Sequence, residues 1–377
     1  MLHLAAKLTR KGPPGHGARG ALPGTIAFLM ADTRAAPLSN HPFTFTGRTA
    51  DYFRIWAVSL FLSLLTLGVY SAWGKVRKRR YLYAHTRLDG SGFEYRASPI
   101  AILKGRIIAL VLFGGFAFSG HFLWFVQAAF IVLLVLLTPW IVVASSRFNA
   151  RNSSWRNVAF AFDGTIREAA KVLLAFGAIV IVTLGLAYPW FRMRRARFIV
   201  ERHRFGATPF TADMETGGFI VAYLLAFLMM TGAAVLMAAG IGVGAAIASG
   251  ANPGQPSPLF FFVPMGVLYT AYLVVFAFLQ ARIGNLTMNG AILGSLRCRS
   301  TLRARDLTWL YLSNIVAVIG TVGLAVPWVT VRMARYRARR LCIVGTAPLT
   351  SFAAAAGAVG TATGSEVGDL FNVDVSL

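Results

Sequence analysis

Seven long apolar stretches constrain this chain more than any other feature of its sequence. Each is 19 to 31 residues long and none contains Asp or Glu. An α-helix of about 20 apolar residues is long enough to cross the hydrocarbon core of a bilayer. The stretches are 52–73, 101–119, 121–144, 169–191, 218–248, 259–281 and 308–331. We therefore predict an all-α multipass membrane protein, with short β-strands in its cytoplasmic loops.

Composition narrows the classes of function. The chain carries 37 Lys and Arg against 13 Asp and Glu, and 56% of its residues are hydrophobic. An excess of basic residues is typical of proteins that bind nucleic acid or lie in a membrane, and the hydrophobic fraction favours a membrane protein. The two cysteines, Cys298 and Cys342, are too few for a disulfide framework and lack zinc-site spacing, although neighbouring arginines could lower a thiol pKa. We predict no enzymatic activity, no cofactor, no metal site and no nucleic-acid partner.

The strongest pattern in the sequence is a segment that occurs three times at matched spacing. Each copy contains Thr-x-Gly and then a tryptophan, and these residues are Thr66, Gly68 and Trp73; Thr183, Gly185 and Trp190; and Thr321, Gly323 and Trp328. Arginines stand four and seven residues after each tryptophan, namely Arg77 and Arg80, Arg194 and Arg197, and Arg332 and Arg335. Three copies with common spacing indicate internal repeats.

Each copy predicts the same local structure. Alternating apolar residues at Phe43-x-Phe45 and Phe160-x-Phe162 indicate a short strand, and the third copy has lost this part at Leu296–Ser300. A helix of about 14 residues follows, roughly 21 Å long, and Thr-x-Gly breaks it. We expect the tryptophans to anchor the segments at the membrane interface. The arginines, which share a helical face, predict a basic surface on an amphipathic helix along the membrane.

The repeats divide the chain into segments. The predicted segments are a disordered tail over 1–42, a membrane domain over 43–345 and a flexible Ala/Gly-rich, acidic tail over 346–377. Within the membrane domain, repeats at about 43–100, 145–210 and 285–345 are separated by helical hairpins at 101–144 and 218–281. Met30 is a plausible true start, because the patterned sequence begins only near Phe43.

Charge leaves two topologies open. The connections at 120 and 249–258 carry no charge, whereas every other connection is basic. Basic loops favour the cytoplasm, and seven straight crossings would distribute them almost evenly between the two sides. The bias is restored if the three repeat segments enter and leave the bilayer on the same face, as broken, re-entrant helices. Seven full spans with weak orientation signals remain the alternative.

The order of these motifs resembles that of the YjgN family of bacterial inner-membrane proteins. The residues that carry the resemblance include Phe43-x-Phe45-x-Gly47, Thr66-Leu-Gly68, Trp73-x-Lys75-x-Arg77, Thr86-x-Leu88-x-Gly90, Asn149, Asn285-Leu-Thr287 and the stretch from Arg303 to Tyr311. The likeness extends over roughly 43–377. It implies a multipass protein of the inner, or plasma, membrane whose function is uncharacterised, and it supplies no catalytic residues.

Two classes of function remain open from the sequence. Broken helices in repeated segments point to a binding site at a repeat interface, which would lie at Thr66, Gly68, Thr183, Gly185, Thr321 and Gly323. The leading hypothesis is therefore a passive transport-type protein that binds a small neutral or anionic solute, or a lipid. The alternative is a non-enzymatic membrane scaffold whose basic cytoplasmic surface binds anionic lipid head groups or protein partners.

Overall fold

Five successive units with the same order of elements make up the part of the chain that the structure describes. This computed structural model describes residues 39–120, 124–251 and 259–346, so Met30 and the two predicted tails, apart from a few residues at their inner ends, lie outside it. Each unit consists of a strand, two helical segments and a second strand, and in unit 3 a π-helical turn interrupts the first segment. The predicted tail boundary at residue 42 is too late, because the first strand begins at Ser39.

Units 1, 3 and 5 have short helices and contain the Thr-x-Gly segments. Unit 1 consists of β1 (Ser39–Phe45), α1 (Thr49–Leu65), α2 (Ser71–His85) and β2 (Thr86–Leu88). Unit 3 consists of β5 (Val158–Phe162), α5 (Ile166–Ala170), a π-helical turn (Lys171–Ala175), α6 (Phe176–Val182), α7 (Tyr188–Glu201) and β6 (His203–Phe205). Unit 5 consists of β9 (Leu296–Ser300), α10 (Ala304–Gly320), α11 (Val326–Arg339) and β10 (Leu341–Gly345).

Units 2 and 4 have long helices. Unit 2 consists of β3 (Ser91–Tyr95), α3 (Pro99–Ser119), α4 (Trp124–Arg151) and β4 (Ser153–Trp155). Unit 4 consists of β7 (Thr208–Ala212), α8 (Thr216–Ala251), α9 (Leu259–Asn289) and β8 (Ala291–Leu293). Within the described residues, four stretches are long and apolar enough to cross a membrane: Pro99–Ser119, Trp124–Arg151, Thr216–Ile241 and Pro264–Asn289.

The ten strands of the described residues form a closed barrel, which the predicted all-α fold class did not include. All ten pair antiparallel with their neighbours along the chain, and β10 pairs with β1, so they close into a barrel. The prediction of an all-α fold with isolated loop strands is therefore wrong. Strands of three to seven residues expose unpaired backbone groups at their edges, and closure removes every edge. The segment Leu296–Ser300, expected to have lost its strand, forms β9 and pairs with β10 over its full length.

The helices all attach to one end of the barrel. In unit 1, Phe45 pairs with Thr86, so α1 begins and α2 ends beside the same two strands. Tight turns join the units at the opposite end, through residues such as Asp89 and Gly90. Gly90 therefore lies in the turn between β2 and β3, whereas α2 ends five residues before it, at His85. Every helical pair thus leaves from and returns to one face of the barrel.

The barrel interior is lined by apolar side chains at equivalent positions. The first strand of each unit contributes one such residue, namely Phe43, Phe93, Phe160, Phe210 and Cys298. Directly opposite, the second strands contribute Leu88, Trp155, Phe205, Leu293 and Ile343. Each unit therefore supplies one cross-strand pair to the same layer of the core, and unit 5 alone supplies a cysteine where the others have phenylalanine.

Candidate functional site

The three Thr-x-Gly segments form the same turn between two short helices. The residue after each threonine has φ near +50°, and Gly68, Gly185 and Gly323 have φ of +91°, +90° and +87°. Glycine adopts such values without steric cost, which explains its presence in every copy. Each glycine N–H donates to the carbonyl five residues earlier, as in Gly68 to Ser63 at 2.7 Å, which closes the helix as a Schellman motif does. The predicted break at Thr-x-Gly is confirmed.

The threonine side chains stabilise these turns from both sides. Thr66 Oγ1 donates to the carbonyl of Leu62 at 2.7 Å and accepts the Tyr70 N–H at 2.9 Å. Thr183 and Thr321 make the same two bonds, to Ile179 and Ala187 and to Ala317 and Ala325. The hydroxyls therefore satisfy backbone groups that helix ends leave unpaired.

The structure places the six predicted binding residues at the tips of three separate hairpins. A Cβ added at Gly68, Gly185 or Gly323 would meet no atom within 4 Å. The intervening residues are almost fully exposed: Leu67 by 96%, Leu184 by 93% and Val322 by 93%. The tips thus present large apolar side chains to their surroundings, and a solute site among them remains a prediction.

The predicted anchoring tryptophans lie just after these tips, with the first arginine of each pair nearby. The Arg332 guanidinium lies over the Trp328 ring at 4.8 Å, and that of Arg194 over Trp190 at 5.6 Å. Trp73 packs beside the buried cluster that includes Ala72. In unit 5, Arg332 also donates to Ser313 Oγ at 2.7 Å and to Asn314 Oδ1 at 3.0 Å.

The second arginine of each predicted pair joins neighbouring units. It stands six residues before the second strand, where units 2 and 4 have Arg147 and Asn285. Each of these side chains donates to a backbone carbonyl of the following unit, in the pairs Arg80–Tyr95, Arg147–Gly164, Arg197–Met214, Asn285–Leu302 and Arg335–Gly47. Arg80, Arg197 and Arg335 were predicted only to form a basic surface, and their bonds between units were not predicted from the sequence.

Unit 5 has a pocket that concentrates positive charge. Its volume is about 720 Å³. The lining includes the arginines Arg305, Arg332, Arg335, Arg339 and Arg340. The single carboxylate in the lining, Asp306, lies 2.7 Å from Arg340, so four arginines are left without a carboxylate in the pocket. Arg332 and Arg335 donate to uncharged oxygens, which do not neutralise their charge, whereas a bound anion would.

Two aromatic side chains complete this arginine pocket. Trp309 is 64% exposed and lies one helical turn beyond Arg305 on α10. Tyr336 lies on α11, and its hydroxyl accepts the Arg303 N–H at 3.1 Å. Burial raises the pKa of Tyr336, so this hydroxyl stays protonated. Arg332 and Arg335 belong to the predicted basic surface, and Arg339 follows them at one-turn spacing along α11. Arg305 is the one arginine that α10 contributes to the lining, so no such spacing marks it in the sequence.

A second, apolar cavity lies inside the barrel. It has a volume of about 150 Å³ and is lined by the layer of cross-strand pairs described above, together with Leu296. Cys298 borders it, and burial raises the pKa of this thiol to about 11. The expectation that neighbouring arginines lower a thiol pKa is therefore wrong for Cys298, because Arg297 and Arg299 project from the opposite, exposed face of the strand.

Comparison with known proteins identifies a family. Residues 40–370 match the family described as a bacterial protein of unknown function, DUF898. The chain is 24% identical over 356 residues to inner membrane protein YjgN of Salmonella typhimurium strain LT2, covering 81% of this chain and 89% of the relative. It is 25% identical over 155 residues to inner membrane protein YjgN of Escherichia coli K12, covering 40% and 38% respectively. These matches confirm the resemblance seen in the sequence. No solved structure matches the chain.

Proposed function

The chain belongs to the DUF898 family of bacterial proteins of unknown function, and we propose that it is a non-enzymatic inner-membrane protein that binds anionic phospholipid in the arginine pocket of unit 5. The observation that carries this proposal is the excess of four arginines over carboxylates in a pocket beside exposed apolar helices. The names of the relatives support an inner-membrane location.

The attachment of the helices supports a specific arrangement in the membrane. Because every helical pair returns to one end of the barrel, the barrel lies on one side of the bilayer. Basic connections put that side in the cytoplasm. The long helices of units 2 and 4 then cross as two hairpins. The short helices, such as the 17-residue α1 and α10, reach only about 25 Å and re-enter. The five equivalent units are thus internal repeats, two more than the sequence indicates.

This arrangement brings the arginine pocket to the level of the lipid head groups. Arg305 lies in the first turn of α10, and Arg339 is the last residue of α11, so both are next to the barrel. The exposed Val322 is at the far tip of the same hairpin. A lipid phosphate at the arginines therefore has its acyl chains alongside apolar helix surface. Guanidinium groups bind phosphate through paired hydrogen bonds, and basic residues near an anionic leaflet contribute about 1 kcal/mol each.

Native mass spectrometry of the purified chain tests this proposal. The variant Arg305→Gln/Arg332→Gln/Arg339→Gln removes three pocket charges, and the matched control Arg77→Gln/Arg87→Gln/Arg299→Gln removes three charges from exposed positions elsewhere. With phosphatidylglycerol or cardiolipin added, we expect bound lipid to fall at least tenfold in the pocket variant and to persist in the control. Equal retention in both variants, or equal binding of phosphatidylcholine by the wild type, would contradict the proposal.

A solute site at the Thr-x-Gly tips is the weaker proposal. The threonine hydroxyls are already engaged in the turns, which leaves only part of their hydrogen-bonding capacity for a ligand. Co-purification of a discrete small solute that is lost from Thr183→Val, but kept by Thr183→Ser, would favour this second function over lipid binding.

A further inference from the structure

One of the five equivalent positions in the inner layer of the barrel carries a different type of side chain. Four units place phenylalanine at the first residue of the inner layer, and unit 5 places Cys298 there. The backbone is equivalent in each case, since Cys298 pairs with Ile343 as Phe160 pairs with Phe205. The cysteine side chain lacks the volume of a phenyl ring. A space therefore remains inside the barrel where a fifth ring would complete the layer.

The space beside Cys298 has an almost entirely apolar lining. The cavity has a volume of about 150 Å³, and its walls are apolar side chains with one thiol. A cavity holds ordered water when polar groups supply two to four hydrogen bonds, and an apolar cavity of this size stays dry and accepts benzene-sized molecules. Protein interiors rarely keep such voids, because an unfilled cavity lowers stability. The volume and the apolar lining of the void at Cys298 fit a small apolar molecule.

We propose that the barrel interior binds a small, uncharged, apolar molecule about the size of one aromatic ring, in the place that a fifth phenylalanine would occupy. The neighbouring Phe210 and Phe43 belong to the units on either side of unit 5, and they offer ring faces and edges to an aromatic ligand. The size excludes a whole lipid, so this ligand is distinct from the lipid of the arginine pocket. Its binding does not depend on the proposed function above.

Methyl-resolved NMR with benzene as the probe tests this inference. The full chain is labelled at leucine and isoleucine methyl groups and studied in perdeuterated detergent, which removes the proton signals of the detergent itself. We expect intermolecular cross-peaks from benzene to Ile343 and Leu296, which both line the cavity. The variant Cys298→Phe supplies the fifth ring, and we expect it to lose these cross-peaks and to unfold at a higher temperature than the wild type.

Two further variants keep the test decisive. If Cys298→Phe does not fold, Cys298→Leu fills the same space partly and should reduce benzene binding at least fivefold. Cys342→Ala changes the other cysteine, which lies outside the cavity lining, and should bind benzene as the wild type does. Absence of cross-peaks in the wild type at saturating benzene would overturn the inference. So would cross-peaks of undiminished intensity in the filled variant.

Discussion

Arg335 donates a hydrogen bond of 3.2 Å to the carbonyl oxygen of Gly47, which lies 288 residues earlier in the chain. This bond links the last unit to the first, as Arg197 links unit 3 to unit 4 through Met214. Together with the pairing of β10 and β1, it closes the ring of units. A linear array of repeats would leave its two end units uncapped, and closure gives each unit two neighbours.

Removing this bond should loosen the barrel at its closure. For Arg335→Gln we expect a loss of about 1 kcal/mol in the free energy of unfolding, since a typical intramolecular hydrogen bond contributes about that much. Hydrogen–deuterium exchange should rise in β1 and β10 and stay unchanged in β5. Arg337→Gln, at an exposed position on the same helix, is the control. Uniform exchange changes in both variants would contradict a closing role for Arg335.

The turn threonines give a second prediction. Thr183→Val keeps the shape of the side chain but removes the hydroxyl that bonds Ile179 and Ala187. Loss of such a cap costs about 1 kcal/mol, and we expect a lower midpoint of thermal unfolding. Thr183→Ser retains both bonds and should unfold close to the wild type. A valine variant as stable as the serine variant would show that the hydroxyl does not stabilise the turn.

The sequence predicted the three Thr-x-Gly turns because their backbone requires particular residues. A φ near +90° at Gly68 or Gly185 restricts that position to glycine. The two hydrogen bonds of the side-chain hydroxyl favour threonine two residues earlier. In units 2 and 4 the sequence between the two helices lacks the Thr-x-Gly pattern, so two of the five units were missed. A weaker signal was present: Phe93-x-Tyr95 and Phe210-x-Ala212 end four residues before a helix, as Phe43-x-Phe45 does.

The barrel could not be predicted from local patterns. Strands β2, β4, β6 and β8 have three residues each, which is too short for alternation to be recognised. Their pairing depends on helical hairpins that return to the same point after as many as 78 residues, as between Ala212 and Ala291. The arginine pocket was partly predicted, because Arg332 belongs to the repeat, whereas Arg305 does not.

The proposed membrane arrangement predicts which positions a membrane-impermeant maleimide can reach. In a background with Cys298→Ala and Cys342→Ala, Ser295→Cys lies in the exposed β8–β9 turn and should be labelled in inside-out vesicles but not in right-side-out spheroplasts. Leu184→Cys, at a hairpin tip, should be labelled in neither preparation until detergent is added. Labelling of Leu184→Cys in spheroplasts would mean that unit 3 crosses the bilayer completely.

His203 predicts how stability depends on pH. Burial lowers the pKa of this histidine from its usual 6.5, and the carbonyl of Ile199, 2.6 Å from Nδ1, offsets only part of that effect. The folded chain therefore holds His203 neutral at pH values where the unfolded chain takes up a proton. Proton uptake by the unfolded state lowers the free energy of unfolding as the pH falls below about 6.5, and it has no effect above that value.

Thermal unfolding of wild type and His203→Gln at pH 7.5 and 5.5 measures this contribution. We expect the wild type to lose more stability between the two pH values than the variant, because glutamine does not titrate. Several charged groups lie near this site: Asp163 pairs with Arg204, and Glu168 pairs with Arg202. Because the variant keeps all four, their titration cancels in the comparison. An equal pH dependence in both proteins would assign the effect to those carboxylates and away from His203.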